Sequence, residues 1–301
     1  MELVTRFLES MAGSSPHTLS AYRTDLTIFS KWYIESYGEP PSPDAVADEI
    51  VPRTYKAYLV QVRKYAPATV NRRLTALRMF GEWLRRNKYV AVNSVADIEG
   101  VREPYREIAP RSLSRVEINR LLRAATQTSH RFARQRDPAL LQTMIHTGIR
   151  IGEAASLTVG DVKLNERSGM LHVHITKGLQ PRDIPLNASA RRALQAWLDF
   201  HKPESRTDAL FPATGKREFT TTDTLRAVIE RAARRANIED CTPHTLRHTF
   251  ARLYLEDNPG DIPGLQLLLG HDDPRTTMVY LRPSMDELAA RLEASSINIY
   301  G

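Results

Sequence analysis

The sequence predicts a mainly α protein with one small antiparallel β-sheet in its C-terminal domain. Three observations carry that expectation. Apolar residues recur at the spacing of buried helix faces through the first hundred positions, which read as helices only. The period changes over residues 161–186, where three short runs read as strands. Between them, VREPYREIAPRSL carries Pro104 and Pro110 with no helical periodicity, as a linker does. The expected organisation is therefore a helical domain over 1–100, a linker over 101–112 and an α+β domain over 113–301.

Each element has its own signal. Ser15 followed by Pro16 marks a helix start, and Leu19, Tyr22, Leu26, Phe29 and Trp32 follow at helical spacing. Residues 45–61 and 67–87 repeat the pattern. The latter aligns Val70, Leu74, Leu77, Phe80, Gly81 and Leu84, and Arg72, Arg73, Arg78, Arg85 and Arg86 are expected largely on the opposite face. Ser114 and Glu117 form a capping box that opens the second domain. After TMIHTGIRIGEAASL come expected strands at 161–164, 170–175 and 181–186, joined by the turns NERSG and KGLQP. A charged helix follows at TDTLRAVIERAARRAN. A further capping box, Ser284 to Glu287, starts a final helix with Met285, Leu288, Ala289 and Leu292 on one side. There is no internal repeat, phosphate-binding P-loop or dinucleotide fingerprint.

Composition narrows the function classes. One cysteine, Cys241, excludes an intrachain disulfide framework and fits a reducing compartment. No apolar run approaches the roughly 20 residues that span a bilayer, and MELVTRFLES lacks the pattern of a signal peptide. A cytoplasmic protein with no membrane partner is expected. The net charge of +7 suggests a polyanionic partner, and the position of the charge says more. Residues 62–88 hold eight Lys or Arg against one acid, Glu82, whereas residues 1–100 hold thirteen against eleven. Charge concentrated on one segment suits an element that tracks phosphates, with a solvated helix face as the alternative. Arg63, Lys64, Arg72, Arg73 and Arg78 are the DNA-binding candidates.

Four pieces of the second domain carry candidate chemistry: TGIRIGE with Arg150, the turn ITKG with Lys177, HTLRH from His244 to His248, and LLGHDDPRTTMVY with His271 and Tyr280. Singly, each has a plain reading. Arg150 could be a surface ion pair, Lys177 an ordinary turn lysine, and Tyr280, one of eleven tyrosines, could be packing. His172 and His174 share a strand face, but no Cys, Asp or Glu stands at ligand spacing in the sequence, so no metal site is expected. His244 and His248 have the spacing of a zinc-protease helix, but the glutamate that should follow the first histidine is Thr245.

Together they form a set for metal-free phosphoryl transfer. Two arginines offer planar forks that match phosphate oxygens; histidines and a lysine move protons; a tyrosine supplies a nucleophilic hydroxyl. A phenol of pKa about 10 is roughly 4 kcal/mol short of full ionisation at pH 7. One well-placed oxyanion donor, worth about 2.7–4 kcal/mol, covers most of that deficit.

Arg150, Lys177, His244-x-x-Arg247, His271 and Tyr280, in the order TG-x-R-x-x-E, strand-turn Lys, H-x-L-R-H-T-F-A and LLGH-x-x-x-x-TT-x-x-Y, resemble the tyrosine site-specific recombinases of the lambda-integrase superfamily, above all compact Xer-like members. The resemblance covers nearly the whole chain, including the SPHTLSAYRTDLTIF opening. It implies a SAM-like, core-binding N-terminal domain and an α+β catalytic domain that close on the duplex as a C-shaped clamp. Arg150 and Arg247 would clamp the scissile phosphate, His244 would be the general base, Lys177 would protonate the leaving 5′ oxygen, and His271 would hydrogen-bond a non-bridging oxygen. Tyr280 would attack to give a 3′-phosphotyrosyl bond. The resemblance also implies double-stranded DNA with a short inverted-repeat site as substrate, a synaptic tetramer that could include a second recombinase, and a terminal helix at about 285–294 docking into a neighbour. It implies neither ATP nor a metal, and no cofactor. The hairpin TKGLQPRDIPL, with Pro181, and the loop NPGDIPGLQ depart from the usual pattern. The competing readings are a DNA-binding protein that has kept this scaffold without cutting, and a type IB topoisomerase.

Overall fold

The computed structural model describes residues 2–14, 16–102, 110–174, 181–213, 219–270, 277, 289 and 292–295, with the backbone alone at 16 and 17. The expected cap at Ser15 and the expected box at Ser284 and Glu287 lie outside the described residues. Contacts divide the chain into two compact units, Met1–Tyr105 and Arg106–Gly301.

The described part of the first unit is helical. Its elements are α1 (Glu2–Ser10), α2 (Pro16–Tyr37), α3 (Asp44–Ala47), α4 (Ile50–Ala57), a π-helical turn at Tyr58–Val62, and α5 (Pro67–Arg86). Proline is tolerated at the start of α5 because the first amide of a helix has no partner within it. From there Val70, Leu74, Leu77 and Leu84 are buried along one stripe, with Phe7, Phe29, Trp32, Tyr55 and Leu59 opposite. Burying each such side chain contributes about 1.5–3 kcal/mol. Gly81 lies on that stripe, and a Cβ there would collide with Asn93 and Val46, so the close approach of α5 to its neighbours requires glycine.

Two expectations are corrected here. The helix read over 45–61 is two helices, because the Asp48 carboxylate accepts hydrogen bonds from the amides of Ile50 and Val51 at 2.7 and 2.8 Å and starts a new one. Arg73, expected on the polar face of α5, is only 7% exposed. Its Nε lies 3.7 Å from the buried Asp25 carboxylate, and its guanidinium sits 4.0 Å from the centre of the Tyr65 ring. Arg72 reaches the same carboxylate at 2.5 Å while staying half-exposed. Position 73 lies three residues after Val70 and four before Leu77, on the buried side of α5, so its side chain turns inward.

The second unit is built around α7 (Arg131–Thr147). It packs against α6 (Arg115–Thr126), α9 (Ala188–His201) and α11 (Pro243–Asp257) through Leu140, Leu141, Met144 and Ile145. The Ser114–Glu117 box that opens α6 forms with both hydrogen bonds. Short α8 (Ile151–Ser156) follows α7. Then come β1 (Val162–Leu164), β2 (Gly169–Val173) and β3 (Arg182–Pro185), antiparallel in the order β1-β2-β3. β1 and β3 lie within the expected strands, β2 starts one residue before the expected 170, and residues 159–161 form a 3₁₀ turn instead of the first strand's start; residues 175–180, with most of the expected KGLQP turn, lie outside the described residues. Leu171, Val173 and Ile184 bury one face of the sheet. The charged helix forms α10 (Thr222–Arg235), capped by the Thr221 side chain, and α12 (Ile262–Leu269) follows α11. Cys241 is buried, and burial pushes its thiol up to about 11. No described helix is long and apolar enough to cross a membrane.

Removing one partner of a buried ion pair leaves the other charge stranded, at about 3–5 kcal/mol. Asp25→Ala is therefore expected to destabilise the first unit by that order. Urea unfolding of the full chain, followed by tryptophan fluorescence in which Trp32 and Trp83 report on the first unit and Trp197 on the second, measures it; an unchanged first-unit midpoint would show that Arg73 needs no counter-charge.

Candidate active site

The turn between α7 and α8 places Arg150. Gly148 takes φ +64°, ending α7, and a Cβ there would collide with the Phe250 ring and come within 2.9 Å of Leu269 Cδ2. Glycine is needed on both counts, for the left-handed backbone and for the close approach. Ile149 is buried, and Arg150 then stands at the N-cap position of α8. Its amide donates to Glu153 Oε2 at 2.7 Å, its Nη1 to Glu153 Oε1 at 3.3 Å and to the Leu269 carbonyl at 3.4 Å.

Arg247 arrives from α11, four residues past the first-turn Pro243 and five past the Thr242 cap. It is 4% exposed, and its Nη1 and Nη2 donate to the carbonyls of Gly148 and Leu269 at 2.7 and 2.8 Å. Two main-chain acceptors on different elements fix the plane of this guanidinium. Leu269 ends α12, where the helix dipole is negative, so its carbonyl is a suitable seat for two cations. Hydrogen bonds involving a charged group contribute about 1.5–3 kcal/mol each.

Two residues of this cluster have no role in the sequence reading. Glu153, 1% exposed, takes Arg150 on one side and Arg182, the first residue of β3, on the other. Burial pushes the Glu153 carboxyl up, but the hydrogen bonds and charge of Arg182, followed by the amide and charge of Arg150, hold it below the usual carboxylate range. A sequence signal for Glu153 existed in the R-x-x-E spacing of a helix start. Arg182 had none, because it meets Glu153 across 29 residues.

His244 lies exposed in the first turn of α11, one turn before His248, with ring centres 6.3 Å apart. Although the residue as a whole is exposed, the surrounding protein partly desolvates its ring and lowers its pKa, and the charges of Arg247, Arg150 and Arg226 lower it further. A neutral imidazole able to accept a proton thus stands within the field of both candidate clamp arginines. His248 is pushed down to about 4 by burial and by the charges of His244 and Arg247. Lys177, His271 and Tyr280 lie outside the described residues. Of the candidate residues, the structure brings Arg150 and Arg247 together on the Leu269 carbonyl and places His244 within the field of their charges.

His172 in β2 and His174 just after it differ from expectation in one respect. Sheet pairing brings Asp183 to His172, and Asp161 comes to His174, each at 2.5 Å. Carboxylates that the linear spacing did not show are therefore present. Among the described residues no group of three or more His, Cys, Asp or Glu is arranged to hold a metal ion. Of the basic residues expected to meet DNA, Arg63, Lys64 and Arg72 are exposed, Arg78 is half-buried with Nη2 donating to the Ile98 carbonyl at 2.9 Å, and Arg73 is internal.

The imidazoles give the second unit a pH signature. Both folded-state pKa values lie below the unfolded value of about 6.5. Their contribution to stability is therefore full above about pH 6.5 and is lost as pH falls towards the folded values, because the unfolded chain takes up protons first. Urea midpoints should fall between pH 7 and pH 5, and the fall should be smaller in His248→Gln. An equal fall in both proteins would contradict the assignment.

Residues 111–287 match the Phage integrase family, and residues 4–88 match the Phage integrase N-terminal SAM-like domain. The chain is 34% identical over 286 residues to tyrosine recombinase XerD of Shewanella oneidensis, covering 92% of this chain and 91% of that one. It is 33% identical over 293 residues to tyrosine recombinase XerC of Pelobacter propionicus, covering 96% and 93%. The fold is similar to that of the XerH site-specific recombinase bound to a palindromic difH substrate, with TM-score 0.75 and 21% identity over 97% of this chain and 82% of that one. A lambda integrase dimer bound to a COC′ core site gives TM-score 0.69 and 19% identity over 94% and 95%. The family matches span both units, and the arginine pair on the Leu269 carbonyl falls within the longer one: the chain belongs to the phage integrase family, as an Xer-like tyrosine recombinase.

Proposed function

We propose that this protein cuts and rejoins double-stranded DNA at a short, specific, inverted-repeat site, through a 3′-phosphotyrosyl intermediate and without metal or ATP. The observation that carries the reading is the convergence of Arg150 and Arg247 on one acceptor, the Leu269 carbonyl. Guanidinium groups held that way are preorganised to receive a phosphate, and preorganised charge commonly supplies most of the rate enhancement in such catalysis. The Tyr280 hydroxyl attacks the scissile phosphorus and His244 takes its proton. The bond from phosphorus to the 5′ oxygen breaks, and Lys177 protonates the leaving oxygen. His271 donates to a non-bridging oxygen. The 5′ hydroxyl of a partner strand reverses the step, so the phosphodiester energy is conserved and no external energy source is required.

The relatives support the wider assembly. XerH has been seen on a palindromic substrate and a lambda integrase tetramer on a Holliday junction. By that analogy this chain works as a tetramer on two DNA sites, alone or with a second recombinase. By the same analogy the terminal helix expected at about 285–294, most of which lies outside the described residues, docks into a neighbouring subunit. The helical domain over 1–100 holds the duplex, with Arg63, Lys64 and Arg72 as its phosphate contacts and Arg78 beside them.

Incubation with a nicked suicide duplex in EDTA tests the chemistry. The expected result is a covalent protein–DNA adduct on a denaturing gel, abolished by Tyr280→Phe. Absence of the adduct favours a scaffold that only binds, and loss caused by EDTA alone implies a metal. Joining between two labelled duplexes then separates strand exchange from mere relaxation. For binding, Arg63→Ala with Lys64→Ala should weaken DNA affinity and flatten its salt dependence, with a slope change of about 0.9 per lost phosphate contact. An unchanged slope would place that turn off the DNA.

A further inference from the structure

The proposed chemistry uses two guanidiniums, yet a third is built into the same cluster. Arg182 Nη1 and Nη2 donate to the two oxygens of Glu153, each at 3.0 Å, and its Nε donates to the Leu268 carbonyl at 2.8 Å. Its side chain is 7% exposed, so it is not placed as a surface charge. A Cβ on Gly270 would come within 2.8 Å of Nη1, and Gly270 has φ +64°, so the end of α12 is shaped to admit this side chain. Arg182 also opens β3, five residues after Lys177.

We propose that Arg182 is a positioning residue for strand cleavage: it braces Glu153 and the end of α12, and thereby fixes the guanidiniums of Arg150 and Arg247. This rests on the recombinase chemistry proposed above. The two contacts of the bracket lie one step from the clamp. Glu153 receives both the Arg150 amide and its Nη1, and the Leu268 carbonyl neighbours the Leu269 carbonyl that Arg150 and Arg247 share. A planar fork is required, because two parallel hydrogen bonds plus a third from Nε fix three elements at once: β3, the start of α8 and the end of α12. Lysine keeps the charge and loses that geometry. Stability alone is a poor explanation, since a buried ion pair is often no better than apolar residues of the same volume.

The test uses the full-length chain carrying Arg182→Lys or Arg182→Met. The probe is a nicked suicide duplex bearing the sequence that the wild-type chain enriches from a randomised duplex library. Three quantities are measured: the adduct-forming rate constant at saturating DNA, the affinity for the same duplex in a Tyr280→Phe background, and the thermal midpoint. Displacing a catalytic group by about 1 Å can cost about a hundredfold in rate. Arg182→Lys is therefore expected to lower the rate constant by about that factor while affinity stays at the wild-type value and the midpoint remains well above the assay temperature. Should Arg182→Met fail to fold, Arg182→Lys carries the test. A wild-type rate in Arg182→Lys overturns the proposal, as does a rate loss matched by equal losses of affinity and midpoint. If the wild-type chain forms no adduct, the recombinase chemistry itself falls and this inference with it; a wild-type adduct with an undiminished Arg182→Lys rate removes the positioning role alone.

Discussion

The second unit depends on a small patch of fixed negative charge: the last carbonyls of α12 together with the Glu153 carboxylate. Arginine side chains are long and rotamer-rich, and holding one still costs about 1.5–2 kcal/mol of conformational entropy. Here that cost is met before any substrate arrives. Arg247 has its plane set by the Gly148 and Leu269 carbonyls, and Arg150 is tied to Leu269 and Glu153. The anchors are rigid, being main chain at a helix end and a carboxylate that is 1% exposed. A flexible anchor would have passed its motion to the clamp. The strongly bent turn at Gly148 belongs to the same design, because only a residue without Cβ lets α7, Phe250 and Leu269 approach closely enough for the carbonyls to meet one guanidinium.

The same cations act on the neighbouring imidazole. Arg247 and Arg150 each lower the proton affinity of His244, after the larger effect of burial. A histidine made less basic is a weaker base but one present in its neutral form at ordinary pH. In the proposed chemistry, the positive charge that would stabilise an anion would therefore also keep the His244 imidazole free to accept a proton. The two effects arise from one arrangement of charge.

Much of this was legible in the linear sequence, wherever a local rule governed. The α5 stripe from Val70 to Leu84 and the Ser114–Glu117 box are settled by spacing within a few turns, and the structure contains both. Arg150, His244 and Arg247 stood out because their boxes carry the residue types of phosphate chemistry in a fixed order. What the spacing hid was set at longer range. The break at Asp48 arises from a side chain competing for two amides, which leaves the apolar period intact. Arg182 reaches Glu153 only because β3 is placed beside α8, and the acids beside His172 and His174 come from sheet pairing and from the 3₁₀ turn. Arg73 is the instructive miss: it looked like its neighbours in a basic run, and a buried Asp25 and the Tyr65 ring draw it inward. A local charge count overstates the surface charge wherever one cation is spent on the interior.

Cys241 extends the reach of the molecule as a tool. It is the chain's single sulfhydryl, it is buried, and its ionisation lies near 11, so almost no thiolate exists at neutral pH. Electrophilic dyes and spin labels react with thiolates. A cysteine introduced at an exposed position would therefore accept a fluorophore while the native one stays silent, and distances within the working assembly become accessible without stripping the wild-type background.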